Sequence, residues 1–340
     1  MKKDVSGGLN LMNMLLCFCV VTIHLTSMPL SQLQWDTFSF VTVFAVNKIL
    51  CFSVPAFIFL SGFKLYSGYG ERKIHFGKFL LRRCTKIVIP YLIAVLIFFL
   101  YFFEKGWLGA DKLHEYFLLG TAGAHFYYVV IAVQLYVLFP VIKYLFNKSP
   151  MITLVLSLVC TVLFQEFFTF TYSDRFSLSY IFYFVLGMVF SKYKCMEKSN
   201  KLLLAALPVS FLSALVHLGR SYLSMTWRET YYYANLVNMV YVTSAIVVLF
   251  GICSMSGGEF KWPSKYSRGF GEVSYNVYLY HILVMNVLQY DVLPLYETTV
   301  KSRFIIISAV VIGLIFVYDA LNRVWNVVKT KIKEKRSRTT

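Results

Sequence analysis

Charge is scarce in this chain. Of its 340 residues only 14% are charged, and acidic residues number 16 against 33 basic ones. A water-soluble domain carries about 25% charged residues. So few charges cannot wet a globular surface, which excludes a soluble globular protein and leaves an integral membrane protein. No polar stretch is long enough to form a second catalytic domain outside the membrane. The chain also lacks any CxxC pair, internal repeat or low-complexity tract.

What is abundant is apolar sequence: 58% hydrophobic and 18% aromatic residues, with a mean hydropathy of +0.65. Ten apolar runs meet the roughly 20 residues that a bilayer crossing needs. They lie near 9–28, 40–63, 87–103, 125–146, 151–171, 177–191, 202–219, 233–253, 273–291 and 303–325. The fold class is therefore all-α, a polytopic membrane helix bundle of about ten transmembrane helices. The net charge of +17 by itself suggests nucleic acid. However, the basic residues fall in short clusters between the apolar runs, so nucleic acid is not the expected partner. Threading ten spans puts twenty-five Lys and Arg on one face and seven on the other, with Lys48 inside a span. By the positive-inside rule the rich face is cytoplasmic and holds both termini.

The five tryptophans (Trp35, Trp107, Trp227, Trp262, Trp325) fall at span ends or in short loops, where indoles sit at headgroup level. None of the seven cysteines lies in a predicted outer loop, so no exported disulfide framework is expected; they read as small buried apolar residues. "MKKDVSGG" reads as the lead into an uncleaved first span, because no A-x-A-like site follows it. Residues 1–328 form the transmembrane domain, and 329–340 ("KTKIKEKRSRTT") a basic cytoplasmic tail suited to anionic lipid.

Polar groups inside spans are costly, so each calls for a reason. In "LNLMNMLLCFCVVTIHL", Asn10, Asn13, Cys17 and His24 lie within roughly 60° of one another on a helix. Asn13 and His24 are about 16 Å apart on that face. The stripe faces protein or a wet cavity rather than lipid. Hydrogen bonding between helices explains Asn10; function is the favoured reading of His24. With the N-terminus inside, His24 lies in the outer half of the membrane. His125, Glu166 and Lys48 fall at a similar depth, either as a proton-handling set or, for Lys48 with Glu166, as a structural ion pair. His281 falls about 12 Å into the ninth span, in the inner half, as a core histidine or a site. Asp319 and Arg323, four residues apart, read as a helix pair. His75, His114 and His217 carry no signal.

The segment "ERKIHFGKFLLRRCTKIVIPY" repeats basic residues at helical spacing before Pro90. Arg82, Arg83 and Lys86 would cluster at the membrane surface, where they suit phosphate groups. Ordinary positive-inside charge against lipid headgroups gives the same pattern.

Several segments together resemble one family. "VPAFIFLSGF", "RRCTKIVIPY", "AHFYYVVIAVQLYVLFP", "YIFYFVLGMVFSK" and "GEVSYNVYLYH" occur in the order found in the acyltransferase-3 group of bacterial membrane O-acyltransferases. The resemblance covers almost the whole chain. It implies transfer of an acyl group, acetyl or succinyl, from cytoplasmic acyl-CoA to a hydroxyl of an envelope carbohydrate or glycolipid. It also implies a multi-pass protein of the bacterial cell (plasma) membrane. No permanently bound cofactor or metal is implied; acyl-CoA is the donor substrate. His24 matches the family's first-span catalytic candidate, and Arg83 and Lys86 its CoA-phosphate motif. Lysine at 86 replaces a frequent second arginine, and Asn13 stands where the family tends to have arginine. The sequence is also similar to the branch associated with intercellular-adhesion polysaccharide, proposed to succinylate poly-N-acetylglucosamine.

Acyl transfer to a sugar needs a base for the hydroxyl proton. A neutral histidine in an apolar cavity fits that role. His24 is then the base, oriented by Glu166 or His125, while Arg82, Arg83 and Lys86 anchor CoA. Asn13, Lys48, Ser61, Tyr127 and His281 line the substrate route. Whether the pantetheine arm reaches upward or an acyl-enzyme relays the group stays open. The competing class is an exporter of polysaccharide or lipid-linked sugar, which ten spans with buried polar groups also fit. A structural partner of a glycan synthase is a third reading, without a positive feature of its own.

Overall fold

The structure, a computed structural model, describes residues 5–168, 170–227, 234–256, 264–296 and 298–337. Lys2, Lys3, Arg228, Lys261, Trp262 and Arg338, used above to weigh orientation and interfaces, lie outside the described residues. Among those described there are helices and turns but no strands. The helices are α1 (Val5–Leu30), α2 (Phe38–Ile49), α3 (Ser53–Tyr69), α4 (Phe76–Arg83), α5 (Ile89–Glu104), α6 (Leu113–Leu119) and α7 (Tyr127–Lys148). They continue with α8 (Pro150–Phe167), α9 (Ile181–Lys192), α10 (Ser199–Trp227), α11 (Ala234–Ser256), α12 (Ser264–Val287) and α13 (Val300–Ser337). The all-α polytopic architecture expected from the sequence is present.

Eight helical stretches of the described residues are long and apolar enough to cross a membrane. They account for eight of the ten apolar runs. The other two runs show why length alone misleads. The run at 177–191 becomes the 12-residue α9, preceded by a short loop. Every residue from Phe182 to Phe190 is buried, so α9 has no lipid face. The run at 273–291 belongs to α12, which begins at Ser264, nine residues earlier than the sequence suggested. Its first turns, "SKYSRGFGEV", are polar and glycine-rich and read as loop. The helix continues into a π-helical turn at Leu288–Val292.

The contacts divide the chain into two compact units. The first holds Lys48–Met255, the second Asp4–Asn47 with Ser256–Thr340. In the first unit α3 packs against α9 at backbone distance. A methyl group on Gly62 would overlap the carbonyl oxygen of Phe184, and one on Gly187 would overlap that of Phe59. Small residues at such crossings let membrane helices approach and gain packing energy where no hydrophobic effect separates lipid from protein. At the crossing, Phe59, Phe190 and Phe250 meet edge-to-face at 5.1–5.7 Å. Outward side chains are apolar: Leu92, Leu96 and Leu100 on α5, Ile152, Val155 and Leu156 on α8, and Leu204, Phe211 and Leu215 on α10 are exposed. A water-soluble protein would not expose such faces; lipid covers them here.

In the second unit α1 packs on α12 and α13 through Met12, Leu16, Val20 and Val21, all buried, and Phe18 meets the ring of Phe316 at 6.2 Å. Asn47 ties α2 to α1 by donating to the Ile23 carbonyl and to Thr26 Oγ1, both at 2.9 Å. Arg323 Nε donates to Asp319 at 2.7 Å, the expected i,i+4 pair. Trp35, Trp107 and Trp325 are about half exposed at the ends of spans, as interfacial indoles are. Of the seven cysteines expected to be buried, Cys17 and Cys253 are; Cys19, Cys51, Cys160 and Cys195 are half-buried and Cys84 is exposed.

The α3–α9 crossing makes a direct prediction. Gly187→Ala should cost about 3 kcal/mol or more, since the obstacle is a backbone carbonyl that cannot rotate away. Gly68→Ala, with nothing within 4 Å, should be harmless. The folded fraction surviving a heating series in detergent, read by size exclusion, checks both. Equal survival of the two variants would show that the contact is not tight.

Candidate active site

The polar stripe of α1 meets a matching stripe on α12 inside the second unit. Asn13 Nδ2 donates to Ser274 Oγ at 2.7 Å, and Cys17 Sγ to the Ser274 carbonyl at 3.6 Å. Further along both helices the ring of His24 lies 5.2 Å from that of His281, tilted by 51°. Increasing residue number on α1 pairs with increasing number on α12, so the two helices run parallel. Ser274 and His281 are seven apart, two helical turns, and share a face.

His281 is 3% exposed. Its Nδ1 lies 2.8 Å from the Tyr278 carbonyl and 3.1 Å from that of Val277. Carbonyls only accept, so a neutral ring keeps its proton on Nδ1 and leaves Nε2 as an acceptor. His281 also lines a cavity of about 360 Å³ between α12 and α13. Val277, Val284, Leu314 and Ile315 make its wall apolar, while Asn276 donates to Tyr318 Oη at 2.6 Å on its rim.

This pairing corrects the expected depth of His281. His281 was expected in the inner half, at a different depth from His24. Because α12 starts at Ser264, His281 stands about 25 Å along the helix rather than 12 Å, and the two rings come level. Within its unit the ring beside His24 is that of His281; Glu166 and His125 belong to the first unit. Glu166 accepts the Leu236 N–H at 3.1 Å, in the first turn of α11, where a carboxylate caps a helix. His125 is 1% exposed and packs on Phe126 at 4.1 Å and Phe98 at 5.4 Å. Lys48, near the end of α2, hydrogen-bonds His217 through its backbone.

The basic motif is continuous with a span. The short helix α4 passes through a π-helical turn at Cys84–Val88 into α5. Such a turn suits Pro90, which has no N–H to offer the ladder. Arg82 and Lys86, four apart, are exposed. Arg83 turns the other way. Its guanidinium lies over Phe79 and Tyr136 at 5.4 and 5.3 Å, and among the described residues its buried Nε has no hydrogen-bond partner. Ser61 hydrogen-bonds the phenols of Tyr136 and Tyr128, so Arg83, Tyr136, Ser61 and Tyr128 form a polar column inside the first unit. Tyr127, beside this column in sequence, lines a separate cavity of about 300 Å³. Sequence reasoning missed Ser274 as the partner of Asn13, although its seven-residue offset from His281 was visible. It also missed Tyr128 and Tyr136, since tyrosines are too frequent in this chain to stand out.

A family model described as an acyltransferase domain matches residues 6–320, and the chain belongs to that family, acyltransferase-3. It is a multi-pass membrane acyltransferase. No curated protein and no solved structure matches it.

The Asn13–Ser274 bond tests whether the stripe joins helices. Interhelical hydrogen bonds in membranes are worth about 0.6 kcal/mol on average and up to about 1.7. A double-mutant cycle of Asn13→Ala and Ser274→Ala should return a coupling in that range by unfolding in mixed micelles. Additive single effects would remove the bond from the account.

Proposed function

We propose that the protein moves an acyl group, acetyl or succinyl, from acyl-CoA to a hydroxyl of a cell-envelope carbohydrate or glycolipid. The observation that carries this reading is the His24–His281 pair, two imidazoles 5.2 Å apart between parallel helices of a membrane unit. In this mechanism a neutral His24 takes the proton of the sugar hydroxyl as its oxygen attacks the thioester carbonyl. The C–S bond breaks, and the proton passes to the departing CoA sulfur. His281, fixed by two backbone carbonyls, holds one ring orientation and offers Nε2 to the same proton network. The largely apolar wall of the cavity against His281 disfavours water, which hydrolyses thioesters.

Arg82 and Lys86 are exposed side by side and suit the CoA phosphates. Arg83, turned toward the Tyr136–Ser61 column, suits a more deeply placed part of the donor. Glu166 and His125 are better explained as a helix cap and a packed aromatic neighbour than as orienting groups for His24.

The test is the O-acyl content of surface carbohydrate, by mass spectrometry, in a null strain complemented at matched protein levels. Wild type should restore it. His24→Ala should lower it by about 10²–10⁴-fold, the range of a lost general base. Full acylation with His24→Ala would end the base assignment. Acylation unaffected by deletion, with polymer retained inside the cells, would favour export.

A further inference from the structure

The cavity of about 300 Å³ in the first unit has a lining unlike the rest of the chain. Tyr127 of α7, Tyr183 of α9, Asn238 of α11 and Gln165 of α8 contribute to its wall, with Asp174 and Tyr180 from the segment between α8 and α9. In a protein with 33 basic residues, no lysine or arginine is among the described residues that line it. A site for phosphate or CoA would present cations. A seat for an acyl chain would not place phenols and amides where their desolvation costs free energy. Asp174 already has the Arg175 guanidinium at 3.7 Å, so the cavity does not need a ligand cation to balance it. What remains is a neutral polyhydroxylated ligand. Amide and carboxylate oxygens accept from its hydroxyls, phenols and amide N–H groups donate, and aromatic rings cover its C–H faces.

The rim is built in advance. Gln134 donates to the Arg175 carbonyl at 2.9 Å and accepts the Ser177 N–H at 2.8 Å. Thr161 Oγ1 donates to the Leu178 carbonyl at 3.0 Å, and Gln165 Nε2 to the Ser179 carbonyl at 2.6 Å. Three helix side chains thus hold the loop that carries Asp174 and Tyr180. At its entry Tyr172 adopts φ +68°, uncommon for a bulky residue, and is held by donating to Glu115 at 2.6 Å. Ordering such a loop is accomplished at folding, so binding does not bear its entropy. The lining sits at the starts of α7, α9 and α11 and the end of α8, one end of the unit. The positive-inside rule assigns that end to the outside.

We propose that this cavity is the acceptor subsite, holding a neutral sugar residue of the envelope carbohydrate by its hydroxyl groups. The proposal rests on the acyltransferase reading above. Its test uses the full chain in lipid nanodiscs, acetyl-CoA or succinyl-CoA as donor, and envelope polysaccharide isolated from a strain lacking this protein. Asp174→Asn and Asn238→Ala should each raise the acceptor KM tenfold or more and leave the donor KM within twofold. Asp174→Trp, which fills the mouth from an exposed position, should abolish polysaccharide binding by the nanodiscs. Acceptor KM values within twofold of wild type in folded variants, or a rise in donor KM instead, would overturn the subsite. If the wild type transfers nothing, the function reading fails by itself. Polysaccharide binding by wild type but not by Asp174→Trp then still supports the subsite, and binding equal in both, or absent from both, overturns it.

Discussion

A bilayer supplies no water, so a polar side chain on a spanning helix must find its partner within the protein. That constraint organises both units. On α1 it turns Asn13, Cys17 and His24 to one side, and α12 answers with Ser274 and His281. The alignment is mutual: the Asn13–Ser274 bond sets the register of two parallel helices, and that register brings the histidines level. In the first unit the same constraint drives Arg83 onto the Tyr136 ring and draws Ser61 between two phenols. The outward faces, freed of polar groups, are left to leucine, isoleucine and valine.

The second organising feature is steric. Gly62 and Gly187 let α3 and α9 meet backbone to backbone, and α9 becomes a helix buried on every side. Twelve residues span only about 18 Å. The remaining depth on one side is occupied by the loop that Gln134, Thr161 and Gln165 hold in place. A short central helix and a fixed loop together leave room for the polar cavity around Tyr127 and Asn238.

Much of this was legible in the sequence because membrane spans write themselves in composition over many residues. The stripe of α1 could be read because three polar residues recur on one helical face. The start of α12 could not. "SKYSRGFGEV" carries two glycines and four ionisable side chains, and local composition argues for a loop, while the helix continues in the structure. That single boundary misplaced His281 by half a membrane and hid its pairing with His24. Arg83 illustrates a different limit. Positions 82, 83 and 86 all look alike as basic residues, but successive residues are rotated by about 100°, so 82 and 86 share a face and 83 does not. Glu166 was read as a candidate for chemistry because it is a carboxylate near a span end. Its carboxylate meets the first turn of α11, a long-range contact that no local pattern announces.

The sites also differ in the chemistry their surroundings permit. The His24–His281 pair sits against an apolar wall, and one of its rings is locked by two carbonyls; this is a place for a proton to be held in a defined direction. The cavity of the first unit is rich in donors and acceptors and poor in charge, which suits recognition more than proton transfer. The exposed Arg82 and Lys86 present charge without enclosure, which suits a polyanion that arrives from water. The acyl transfer proposed above, from a phosphate-bearing thioester to a neutral sugar, draws on each of these environments.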